Sequence, residues 1–60
     1  MTNEIVILDY CTGKVYFYTL PWLTDDSTKI EDYIDSLGFR LSEIEWMGCG
    51  HHIEINDYRK

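Results

Sequence analysis

Four aliphatic residues in a row, Ile5-Val6-Ile7-Leu8, constrain this chain more than anything else in it. Three of the four are β-branched, which favours an extended strand. Successive side chains of a strand point to opposite faces, so a run apolar at every position offers both faces for burial. Such a strand belongs inside a sheet, not at its edge. The strand is expected over residues 4–10, and a second over 14–20, where Lys-Val-Tyr-Phe-Tyr-Thr-Leu is again rich in β-formers. Cys11, Thr12 and Gly13 lie between them, and Gly13 can take a positive φ at no steric cost. Two such runs around a short glycine-bearing loop make a hairpin.

Pro21 cannot donate a ladder hydrogen bond and is expected to end the second strand. Thr24-Asp25-Asp26-Ser27-Thr28 then supplies helix-start residues, and Thr28 with Glu31 fits a capping box. Ile30, Tyr33, Ile34 and Leu37 recur at i, i+3, i+4 and i+7, which is one helical face. Gly38 suits the left-handed residue past the helix end, and Phe39 can fold back on Ile34. The helix is expected over 28–37. Residues 41–52 admit two readings. Ser42-Glu43-Ile44-Glu45 can open a second helix, but Ile44 and Trp46 alternate with acidic neighbours, as in a strand. His52 to Asn56 alternates as well, and Gly48-Cys49-Gly50 between the runs is a turn signal. A second hairpin is preferred.

The expected fold is therefore one α+β domain, β-β-α-β-β, spanning residues 1–60. Its four-stranded antiparallel sheet, in the order 2-1-3-4, packs against one helix. Cys11 and Cys49 then fall in turns at opposite ends of the sheet. A disulfide requires Cα atoms within about 7 Å, so the two are expected to be free thiols.

Eleven acidic residues against five basic ones give a formal net charge of −6. Binding to a nucleic acid backbone relies on clustered Lys and Arg, whereas Lys14, Lys29, Arg40, Arg59 and Lys60 are scattered. Direct nucleic-acid binding is excluded on that ground. No apolar run approaches the roughly 20 residues of a membrane span, and Met-Thr-Asn-Glu lacks the basic start of a signal peptide. The chain is expected to be cytoplasmic.

Cys49, His51 and His52 are metal-ligand types within four residues, but nothing nearby completes a four-ligand shell. A Cys and His pairing for nucleophilic catalysis also lacks an orienting group and a pocket. No metal, cofactor or catalytic residue is assigned. Asp25, Asp26, Glu31, Asp32 and Asp35 are read first as a capped, solvated helix end, and alternatively as an acidic inhibitor surface mimicking nucleic acid.

What remains is the sheet. One three-turn helix covers one face, and the first strand is apolar on both. The expected interaction surface is the other face, assigned to Val6, Leu8, Tyr10, Tyr16 and Tyr18, with Trp22 near the edge. Tyrosine suits a half-wet interface because its ring packs while its hydroxyl stays hydrated. The function expected is a small acidic protein-interaction module, non-enzymatic, with a protein partner or a weak homodimer.

The stretches Ile7-Leu8-Asp9-Tyr10-Cys11-Thr12-Gly13-Lys14-Val15, Ile30-Glu31-Asp32-Tyr33-Ile34 and Glu45-Trp46-Met47 resemble short uncharacterised proteins of Bacteroides-type gut bacteria and their mobile elements. The resemblance covers most of the chain. It implies a bacterial or phage-derived cytosolic accessory protein, and carries no functional residue with it.

Overall fold

The apolar run does form the middle of a sheet. In the computed structural model, which describes residues 2–59, β1 (Thr2–Asp9) lies between β2 (Lys14–Thr24) and β3 (Ile44–Cys49). Both pairings are antiparallel, in the order β2-β1-β3. The helix α1 (Ser27–Ser36) follows β2, and a single 3-10 turn, Leu41–Glu43, leads into β3.

The sheet has three strands, not four. The glycine stretch does not turn back: Gly48 pairs with Ile5 and Cys49 with Glu4, so β3 runs through it. Gly48 is needed there for space. A Cβ on it would sit 2.7 Å from Thr2 Cγ2 and 3.3 Å from Thr2 Oγ1. Residues 52–56 form no strand. They are diverted by the Glu4 side chain, which accepts the Ile53 amide at 2.9 Å. The capping residues at Ser42 yield only the 3-10 turn.

Pro21 does not end β2. Thr19 pairs with Glu4 and Thr24 with Thr2, so five steps along β2 oppose two along β1. Pro21 falls inside this irregularity on an edge strand, where its missing N–H breaks no ladder bond.

The helix starts one residue earlier than expected because Asp26 is its cap, not Thr28. Asp26 Oδ1 accepts the Thr28 amide at 2.9 Å and the Lys29 amide at 3.4 Å. Gly38 closes the other end at φ 97°, with its amide on the Asp35 carbonyl.

Ile5 and Ile7 of β1, Leu20, Ile30 and Ile34 of α1, and Ile44 of β3 form the buried core. Full burial of one such aliphatic side chain stabilises by roughly 1.5–3 kcal/mol. Tyr16, Tyr18, Trp22, Tyr33, Phe39 and Trp46 ring this cluster. Phe39 meets Tyr16 and Tyr18 edge-on, with ring centroids 5.1 and 6.3 Å apart.

Candidate functional site

Cross-strand partners in a sheet share a face, so the register decides which side chains lie together. Ile5 faces Tyr18, and Ile7 faces Tyr16 on one side and Trp46 on the other. These residues look toward α1. Val6 lies between Phe17 and Met47, and Leu8 between Val15 and Glu45. This second set forms the face that α1 leaves open.

The expected surface is thereby divided. Val6, Leu8 and Tyr10 lie on the open face, but Tyr16 and Tyr18 point the other way and pack on the core and Phe39. Trp22 is also on the helix side, 5.8 Å from the Tyr33 ring, with Lys29 Nζ 4.5 Å above it. The cause is one residue of hairpin loop. A three-residue loop from Cys11 to Gly13 would pair Tyr10 with Lys14. Instead Asp9 pairs with Lys14 across a four-residue loop. Asp9 Oδ1 accepts the Cys11 amide at 2.9 Å and the Thr12 amide at 3.4 Å, and its carbonyl accepts the Gly13 amide. Gly13 takes φ 70°. A slip of one residue moves every side chain of a strand to the other face.

Val15, Phe17 and Met47 therefore replace the two tyrosines. Val15 is 53% exposed, Phe17 46%, Met47 54% and Leu8 42%. Tyr10 extends the patch at the hairpin end, where burial and the nearby Glu45 carboxylate push its hydroxyl pKa up.

The C-terminal segment borders this face. Glu4 lies on it, between Thr19 and Cys49. Its Oε1 accepts the Ile53 amide, and its Oε2 lies 3.2 Å from His52 Nδ1. The Ile53 amide first, and the His52 imidazole next, hold the Glu4 carboxyl below its ordinary value. Phe17, Tyr18 and Thr19 with Ile53 and Ile55 line a groove of about 230 Å³ that ends at Glu4 and His52. Beyond it, Arg59 clasps Asp57 at 2.7 Å; Lys60 lies outside the described residues.

The thiol and imidazoles go to separate tasks. Cys49 Sγ receives the His51 amide at 3.4 Å, while His52 turns to Glu4. Among the described residues, no three His, Cys, Asp or Glu side chains are grouped to hold a metal ion. Cys49 pairs opposite Glu4 and Cys11 lies beyond Asp9, at the other end of β1, and both are free thiols. Of the acidic set, Asp26 is occupied as the helix cap.

No helix among the described residues is long and apolar enough to cross a membrane. No protein-family model matches the chain, and no curated protein or solved structure does.

Proposed function

We propose that this protein is a non-enzymatic interaction module that binds a protein partner through the open face of its sheet. The observation that carries the reading is the contiguous set Val6, Leu8, Val15, Phe17 and Met47 on the side without a helix. A contiguous apolar patch on a small domain marks a contact surface. Glu4 and Glu45 stand on the same face, and the chain carries −6 overall. The fitting partner therefore presents an apolar patch with a basic rim, which complements both features.

Capture of host proteins by wild type and by Leu8→Glu, at low and high salt, tests it. Proteins held through the apolar face should survive high salt and be lost with Leu8→Glu. An acidic surface mimicking nucleic acid would behave in the opposite way. Its contacts would fail as the Debye length falls to about 3 Å at 1 M salt, and Leu8→Glu would spare them.

A further inference from the structure

Among the described residues, no strand pairs with the outer edge of β3. The Tyr10 amide donates to the Glu43 carbonyl, which sets the phase of the β1 and β3 ladder. In an antiparallel pair, hydrogen-bonded and non-hydrogen-bonded positions alternate. Glu45, Met47 and Cys49 therefore turn their N–H and C=O groups toward β1. Ile44, Trp46 and Gly48 turn theirs outward, at the free edge of a sheet ordered β2-β1-β3.

The two edges are not equally guarded. β2 carries Pro21 within a register irregularity, and the C-terminal segment lies beside its Phe17 and Thr19. β3, Ile-Glu-Trp-Met-Gly-Cys, has no proline, lysine or bulge. Those are among the devices that keep an edge from pairing, and Glu45 is the one charge that β3 carries.

We propose that the occupant of this edge is β3 of a second copy, antiparallel about a two-fold axis at Trp46. That register places Trp46 opposite itself, Ile44 opposite Gly48 and Glu45 opposite Met47. All three outward-facing residues of each copy then find donors and acceptors. It also places each Glu45 carboxylate across from a thioether. A two-fold at Glu45 would set carboxylate against carboxylate, which is unfavourable. A two-fold at Met47 would leave Ile44 without a strand residue opposite. The edge is thus self-complementary in one register, as a symmetric dimer requires. The product is a six-stranded sheet whose two open faces are continuous. The charge of −6 on each copy opposes approach, so the dimer should be weak and strengthened by salt.

The inference does not depend on the partner proposed above. It is tested on the full chain by sedimentation equilibrium up to ~1 mM, a range that detects weak dimers, with amide exchange read in parallel. The expected result is a reversible dimer favoured by salt, with Ile44, Trp46 and Gly48 amides protected as concentration rises. Met47 is half-exposed, so changes there should leave the fold intact, as circular dichroism would verify. Met47→Glu should weaken the dimer and Met47→Lys tighten it, each by about tenfold, since two symmetric cross-strand pairs change at once. Asp35→Asn makes the same charge change, one unit less negative, on α1 and should act much less than Met47→Lys. A monomer at all concentrations in high salt would overturn the proposal. So would a dimer that leaves the three edge amides unprotected, which is what face-to-face association through Leu8 and Phe17 would give. Equal effects of Met47→Lys and Asp35→Asn would also overturn it.

Discussion

Cys11 is exposed, yet its surroundings push its thiol pKa up. The Glu43 carboxylate is the main cause: its negative charge pushes the Cys11 pKa up, and burial and Asp9 add to this. Because the thiolate is the reactive form, alkylation near neutral pH should be slow. Glu43→Gln should speed iodoacetamide labelling of Cys11 by about two- to fivefold and shift its pH profile downward. An unchanged rate would show that Glu43 does not control the thiol. Single residues also decide what the sequence makes legible. The aliphatic identities of Ile5 to Leu8 announce a central strand of the sheet wherever the loop lies. Which face each residue takes depends on Asp9. Its carboxylate gathers two loop amides, and nothing in the pattern Asp-Tyr-Cys-Thr-Gly-Lys states whether the loop has three residues or four. The four-residue loop puts Tyr16 and Tyr18 on the helix side and Val15, Phe17 and Met47 on the open face. Counting the loop from Asp9, an Asx-turn former, was the available signal.

At the scale of elements, the helix shows how a correct periodicity can carry a wrong cap. Ile30 and Ile34 seat the helix whichever residue begins it, so its existence follows from spacing. Thr28 with Glu31 matches the capping box, but Asp26 stands two residues earlier and already holds the Thr28 and Lys29 amides. The Asp26 amide is in turn fixed by Thr24 Oγ1 at 3.0 Å, which orients the cap. Asp26→Ala should therefore cost about 0.5–2 kcal/mol, the usual range for losing an N-cap. Thr28→Ala should be close to neutral. Urea unfolding of the two variants measures this, and the reverse order would restore Thr28 as the cap. The same local logic fails for the last third of the chain. His52 to Asn56 alternates like a strand, but alternation supplies no partner. What places the segment is a carboxylate 48 residues earlier, at Glu4, and such a pairing leaves no local trace in the sequence.

For the whole molecule, Glu4 is the link between its two ends, and it makes the C-terminal segment sensitive to acid. The core of six aliphatic residues does not include residues 52–59, so that segment can detach while the sheet and helix stay packed. A domain of this size has total stability of only about 3–9 kcal/mol, so peripheral segments are expected to open first. Glu4 has a folded-state pKa below the ordinary 4.5, chiefly because it accepts the Ile53 amide. Its contribution is therefore fully present above the unfolded value and is lost as pH falls through the lower folded value. Asp57 is lowered too, but by Arg59 two residues away, so its protonation loosens the tail internally and breaks no contact with the sheet. The Ile53 amide resonance should show the Glu4 transition below about 4.5. The Ile34 methyl resonances should not move with it. Glu4→Gln keeps an acceptor for the amide but removes the charge facing His52, and should abolish this inflection. An Ile53 transition at the ordinary glutamate value, or one shared with the core, would mean that Glu4 does not latch the segment. It would also mean that the groove beside Phe17 owes its shape to something else.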